Sequence, residues 1–280
     1  MNVDIIILAA GQGKRMQSPV PKVLQSLGGK PLLQHVVDTC SSIKKAKLHI
    51  IVGEQKKLIQ SSIRAPKSAN WIVQKKQLGT GHAVKQALPF LRANSQAVVL
   101  YGDGPLVKIS TLKKLIFDAA KNNLTLLTFE SANPKGLGRI IRESNSKVSG
   151  IVEEKDASSS EKKIKEVNSG ILATSTKNLQ QWLPKLRNNN ASKEYYLTDI
   201  VALCSSENKK IKAINLGDTS ELLGANDNQE LHNLERTYQK ETALSFLKSG
   251  VKFADINRVD FRGEASIGKN VFIDVNVVLE

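Results

Sequence analysis

The sequence predicts an α/β fold on a mostly parallel, Rossmann-like doubly wound sheet, with an antiparallel insertion in its second half and a short repetitive β segment at its end. Three observations carry this. Apolar runs of strand length alternate with amphipathic stretches from Ile5 to Tyr101. Some of these runs, such as Val98-Val99-Leu100, are apolar at every residue, which requires cover on both faces. Large apolar residues then recur every six positions at the C-terminus, at Phe261, Ile267, Ile273 and Leu279.

In chain order, residues 5–8 read as a strand, 32–40 as a helix, 48–52 as a strand, 56–63 as a helix, 71–73 as a strand, 83–91 as a helix and 98–101 as a strand. This is the rhythm of βαβ units, and ligands of such sheets collect at the carboxyl ends of the strands. Shorter strands follow at 124–129, 139–141, 148–152 and 171–174, as expected of an antiparallel insertion over the sheet edge. The polar segment 156–163 reads as a mobile loop. Helices at 179–186, 197–204 and 231–249 complete the pattern. The six-residue period suits about one coil of a hexapeptide left-handed β-helix, and the residues alone leave an ordinary short β tail open as well. The expected division is a main domain over 1–227, a linking helix over 228–250 and the start of the solenoid over 251–280.

With 280 residues, 40% of them hydrophobic, the chain can bury one large core or a main domain with an appendage. No run approaches the roughly 18 apolar residues of a membrane helix, and residues 1–4 lead straight into a strand, so the expectation is a cytoplasmic protein with no membrane partner. Cys40 and Cys204 are the two cysteines, far apart and without metal-type or redox-type spacing, and read as packing residues. The formal charge of +15 raises nucleic acid as a partner. Against it, the lysines lie in scattered pairs such as Lys44-Lys45 and Lys209-Lys210, with no interleaved stacking aromatics. A solvated basic surface is the expectation, with no nucleic-acid partner.

The first strand runs into Gly11-Gln12-Gly13-Lys14-Arg15-Met16, a glycine turn whose backbone N–H groups and cationic side chains suit phosphate. Met16 stands where a dinucleotide fingerprint has its third glycine, and the spacing of a P-loop is missing. Pro21-Lys22 adds an ammonium on a proline-stiffened segment. Arg15 and Lys22 therefore read as clamps on a triphosphate. Asp103 follows an apolar strand, where a carboxylate can reach a ligand above the sheet and seat magnesium, although a lone aspartate there is more often a turn or cap residue.

These strings occur together with Gln77-Leu-Gly-Thr-Gly-His-Ala83, Tyr101-Gly-Asp103, Gly138-Arg139, Gly150-Ile-Val-Glu153, Asn168-Ser-Gly-Ile171 and Glu194-Tyr-Tyr-Leu-Thr-Asp199. From Ile5 to its end the chain resembles the uridylyltransferase half of the bacterial bifunctional enzymes that make UDP-N-acetylglucosamine. The resemblance implies a GT-A-like sugar nucleotidyltransferase domain, Mg2+ as cofactor, and UTP and N-acetylglucosamine 1-phosphate as substrates. The product would supply peptidoglycan and lipopolysaccharide precursors.

Carried over, the resemblance places Leu8, Ala9, Ala10, Gly11 and Lys22 on the nucleotide, Arg15 on the leaving pyrophosphate, and Gln74, Gly79 and Thr80 beside uracil. Tyr101 and Gly102 flank Asp103; Gly138, Glu153 and Asn168 hold the amino sugar. Asn226 joins Asp103 as the second magnesium ligand. Arg15, Lys22 and Asp103 carry the catalytic roles, and His82 none. Gly104, Ser169 and Lys75-Lys76 depart from the family pattern without removing a ligand. The family's acetyltransferase site and trimer contacts belong to coils beyond residue 280, so acetyl transfer and trimerisation through them are not expected of this chain. A homo-oligomer of another kind stays open. The other readings are a nucleotidyltransferase for a different sugar 1-phosphate or base, and a non-catalytic UDP-sugar-binding subunit.

Overall fold

The computed structural model of the chain describes residues 1–217 and 220–280. The chain begins with β1 (Val3–Ala9), which is buried at all seven residues, as the apolar run from Ile5 to Ala9 requires of a strand covered on both faces. A small hairpin follows, β2 (Ser26–Leu27) and β3 (Lys30–Pro31), and leads into α1 (Leu32–Ser41). Next come β4 (Ala46–Val52), α2 (Lys56–Ser62), β5 (Asn70–Val73), α3 (Thr80–Ala87), β6 (Gln96–Tyr101) and α4 (Ile109–Ala119). The second half continues through β7 (Leu124–Glu130), β8 (Arg139–Arg142), β9 (Val148–Val152), β10 (Glu166–Ser175), α5 (Thr176–Trp182), α6 (Asp199–Ser206) and β11 (Ile211–Asn215). The long α7 (Asn228–Lys248) precedes four short strands, β12 (Lys252–Phe253), β13 (Val259–Phe261), β14 (Phe272–Ile273) and β15 (Val277–Leu279).

The main sheet has the order β11-β7-β10-β6-β1-β4-β5, with β8 and β9 attached through β10. β1 pairs in parallel with β4 and β6, and β4 with β5. Alternation along β1 serves two cores. Ile5 and Ile7 join the cluster under α1 and α4, whereas Ile6 and Leu8 join the cluster containing α3, α5 and α6 residues.

Three sequence expectations change. The antiparallel element does not lie over an edge, because β10 runs between β6 and β7, antiparallel to both, with Leu172, Ala173 and Thr174 buried. β10 is a ten-residue strand whose C-terminal half pairs on both sides, and the β8–β9 hairpin is attached through its N-terminal half. The segment 156–163 is folded: Ser158 bonds Glu161 ahead of a 3-10 turn at Glu161–Lys163, and Asp156 Oδ1 accepts from the Ala191 amide. The third helix begins at Thr80 instead of residue 83, entered from Gly79 at φ 103°.

At the C-terminus β12 pairs with β14 and β13 with β15, both in parallel. Val259 faces Val277 and Phe261 faces Leu279, a step of three six-residue periods. Phe261 and Ile273 are buried in a cluster that also takes in Ile267 and Leu279. Among the described residues, no helix is long and apolar enough to cross a membrane.

Candidate active site

The carboxyl ends of β1, β5 and β6 open onto one cavity of about 420 Å³, within the usual size for a small-molecule site. Leu8, Ala9, Ala10 and Gly11 form its floor where β1 gives way to the glycine turn. That turn is braced from two sides. The Gln77 side-chain amide donates to the Ala10 carbonyl, and the Gly102 amide donates to Leu8 O at 2.9 Å. Gly13 has φ 59°, and a Cβ there would stand 2.7 Å from Lys22 Cβ, so only glycine lets the turn close onto the lysine segment. A second, polar cavity of about 680 Å³ shares Ala9, Ala10, Gly11 and Gln74 and extends along the turn to Gln17 and Gln55.

Gln74, buried at the end of β5, donates through Nε2 to Gly79 O at 3.1 Å and to His82 Nδ1 at 3.0 Å. Its Oε1 has no partner among the described residues. Burial and the charge of Lys85 push the His82 pKa down, so the ring is the neutral acceptor that Gln74 requires. His82 thus supports the loop. Gly79 passes so close to the backbone of Tyr195 that a Cβ would come within 2.6 Å of its carbonyl oxygen, and Thr80 Oγ1 accepts from the Leu197 amide at 3.1 Å. Gly79 and Thr80 both line the cavity.

Asp103 and Asn226 meet at the opposite wall. Lys22 Nζ donates to Asn226 Oδ1 at 3.0 Å and forms an ion pair with Asp103 Oδ2. All three line the cavity. A positive charge therefore already lies between the carboxylate and the amide oxygen. Two hard oxygen donors beside a phosphate-sized space suit magnesium, which keeps waters and bridges to substrate phosphates. Among the described residues, no group of three or more His, Cys, Asp or Glu side chains could hold a metal ion.

Gly138, Glu153 and Asn168 form a second group beside the cavity. The Asn168 amide donates to Gly138 O at 2.9 Å, and a Cβ at Gly138 would lie 3.3 Å from Glu153 Oε2. Their chain neighbours Leu137 and Ser169 line the cavity wall, whereas the three themselves do not. Glu153 accepts from Thr198 Oγ1 at 2.9 Å, and burial pushes its pKa up. Tyr101 lines the cavity with its ring against Gly170, where any side chain would strike it. Burial first, then the charges of Glu153 and Asp103, raise its phenol pKa, which keeps it a neutral donor. Gly102 is buried and does not line the cavity. Arg15 is exposed on the 3-10 turn Lys14–Met16 and lines neither cavity, so the structure does not bring it to Lys22's ligands.

Several lining residues had no reading in the sequence. Gln77 opens the string Gln77–Ala83 with no local sign of its role, and its bond to Ala10 joins residues 67 apart in the chain. Glu221 is buried, accepting from the Lys108 amide at 3.0 Å and Thr111 Oγ1 at 3.0 Å, and so satisfies one backbone amide at the start of α4. With Leu222 and Gly224 it brings the segment before α7 to the cavity. No local pattern marks that segment.

A glycine turn after the first strand of a parallel sheet, a strand-end aspartate and a lysine joined at one cavity define the nucleotidyltransferase class. The chain belongs to the MobA-like NTP transferase domain family, whose model matches residues 5–144. It is similar to the bifunctional protein GlmU of Nitrosococcus oceani, 46% identical over 280 residues, covering 100% of this chain and 62% of that protein. The bifunctional protein GlmU of Dechloromonas aromatica is 48% identical over 278 residues, 99% of this chain and 61% of that one. The chain thus spans less than two thirds of these relatives, and the resemblance read from its motifs is borne out.

Among solved structures, a UDP-glucose pyrophosphorylase complexed with UDP-glucose superposes with a TM-score of 0.66 at 16% identity, over 86% of this chain and 100% of that one. A putative glucose-1-phosphate thymidylyltransferase from Bacillus anthracis gives 0.62 at 20% identity, over 83% and 94%. These two show the fold.

Proposed function

We propose that the chain is a UDP-N-acetylglucosamine diphosphorylase, joining N-acetylglucosamine 1-phosphate to the uridylyl group of UTP with release of pyrophosphate, in the supply of peptidoglycan and lipopolysaccharide precursors. The observation that carries the reading is the convergence of Asp103 and Asn226 on Lys22 Nζ at the cavity floored by the glycine turn. The identity to the GlmU proteins over the whole chain supports the choice of substrates.

The sugar phosphate attacks the α-phosphorus of UTP in line. A phosphorus–oxygen bond forms as the bond to the β-phosphate bridge breaks. The attacking oxygen is already anionic, so no side chain has to remove a proton. The obstacle is repulsion between two anions, and the site answers it with placed positive charge. Lys22 neutralises phosphate oxygens, and the backbone amides following Ala9 hold the triphosphate. Gln74 Oε1 offers an acceptor to the imide N–H of uracil, while Glu153 and Asn168 orient the sugar. Asp103 and Asn226 would hold magnesium, which would supply further positive charge to the phosphate oxygens. Arg15, exposed on the turn and lining neither cavity, would have to swing inward to meet the pyrophosphate.

The test is a panel of sugar 1-phosphates against UTP and dTTP with magnesium, reading pyrophosphate. N-acetylglucosamine 1-phosphate with UTP is expected to turn over fastest, and a preference for glucose 1-phosphate or dTTP would overturn the substrate assignment. Asp103→Ala is expected to lose at least about a hundredfold in rate with its fold intact, as judged by circular dichroism.

A further inference from the structure

The donor pair at Lys22 depends on which way the Asn226 amide faces. A primary amide carries an acceptor on one side and two donors on the other, and the two ends have nearly the same shape. Turned one way it presents Oδ1 to Lys22 and a metal; turned the other way it presents a donor to both, which excludes them. The surroundings must decide.

They do so through Glu230. Its Oε2 accepts from the Asn226 backbone amide at 2.8 Å and from Asn226 Nδ2 at 3.0 Å. An ionised carboxylate can only accept, so it tolerates Nδ2 and rejects Oδ1. The remaining end of the amide, Oδ1, meets Lys22 Nζ at 3.0 Å. Glu230 lies in the first turn of α7, where its own amide donates to the cap, Asp227 Oδ1, at 2.8 Å. This is a variant of the capping box, with the glutamate reaching the residue before the cap instead of the cap itself. The carboxylate is thereby anchored to a helix of 21 residues.

We propose that Glu230 is a positioning residue, fixing the Asn226 amide so that Oδ1 faces Lys22 and the divalent cation. The metal half of this rests on the function proposed above; the amide orientation does not. Outer partners of this kind commonly set metal affinity by about 10- to 100-fold.

The test compares four variants of the full chain with the wild type by Mn2+ titration calorimetry without nucleotide, by thermal unfolding, and by NMR of the Asn226 side-chain NH2 group. Glu230→Ala is expected to weaken Mn2+ by at least about tenfold and to lose the slow exchange of that NH2 group. Glu230→Gln, which keeps an acceptor oxygen, is expected to restore most of both. Asp227→Ala removes the cap but leaves the glutamate, so it should lower the melting temperature and leave Mn2+ affinity within about threefold, since a cap contributes about 1 kcal/mol to stability. Asn226→Ala is the control for the seat.

Equal loss of melting temperature in Glu230→Ala and Asp227→Ala, with Mn2+ affinity and the NH2 signal unchanged, would reduce Glu230 to a helix cap and overturn the proposal. If Asn226→Ala binds Mn2+ like the wild type, the metal reading fails. The NMR comparison of Glu230→Ala with Glu230→Gln then decides the orientation by itself.

Discussion

Lys22 shows how much one side chain carries here. Its ammonium is the partner of a carboxylate that is 16% exposed, and Lys22 itself is 14% exposed, so neither charge is well solvated. Lys22→Met leaves Asp103 beside an apolar stem and is expected to destabilise the fold by about 1–3 kcal/mol. Magnesium should recover part of that loss by replacing the missing charge, while turnover stays down by about a hundredfold or more. Scanning fluorimetry with and without magnesium chloride measures the first effect, and pyrophosphate release the second.

Glu153 is the opposite case. Burial raises its pKa in the folded chain, so above its unfolded value the ionised form costs stability, and the cost fades as pH falls toward about 4.5. Glu153→Gln keeps the oxygen that Thr198 donates to and removes the charge. It is expected to melt higher than wild type near pH 8, with the two curves converging toward about pH 4.5, and to raise KM for the sugar phosphate about tenfold with little change for UTP.

At the scale of elements, the two ends of the sheet do different work. The carboxyl ends of β1, β5 and β6 hold the site. Near their opposite ends, Asp4 is fully buried, and it accepts from His49 Nε2 at 2.8 Å, from Ser95 Oγ and from Arg92 Nε at 3.2 Å. His49 Nδ1 in turn accepts from Asn70 at 3.1 Å. Burial pushes the Asp4 carboxyl up, and the bonds from His49 and Ser95 with the charge of Arg92 more than offset it, leaving its pKa below the ordinary value. The network therefore stabilises the fold above the unfolded carboxylate pKa of about 3.9 and loses that contribution as pH falls through the lower folded value. Asp4→Ala strands two buried polar partners and is expected to cost about 3–5 kcal/mol in urea unfolding. In protein that remains folded, KM values should not change, because the network lies at the end of the sheet away from the cavity.

Across the whole molecule, α7 joins the α/β domain to the tail and also reaches the site. Glu235 Oε2 accepts from the Gly28 amide at 2.9 Å, and Gly28 O accepts from the Gly263 amide at 2.7 Å, so the β2–β3 hairpin is tied to both helix and tail. Gln239 is buried and exchanges two bonds with the Phe261 backbone, at 2.7 and 2.9 Å. Phe261 is fully buried, stacked on Phe246 with ring centroids 5.3 Å apart. Phe261→Ala is expected to cost about 3–5 kcal/mol. Hydrogen exchange should locate the loss over residues 251–280, with β1, β4 and β6 protected as before.

Most strands and helices, the glycine turn and the strand-end Asp103 could be read directly from the chain, because periodic burial and turn chemistry act over a few residues. The six-residue period at the end was legible for the same reason. The place of β10 inside the sheet, the burial of Glu221 under α4, the bond from Gln77 to Ala10 and the hold of Glu230 on Asn226 were not. Each joins groups far apart in sequence, and nothing near any of them reveals which distant partner packing will bring. Arg15 shows the same division from the other side: its place in a phosphate-type turn was evident in the string, yet where its side chain ends up depends on how that turn packs against the rest of the protein.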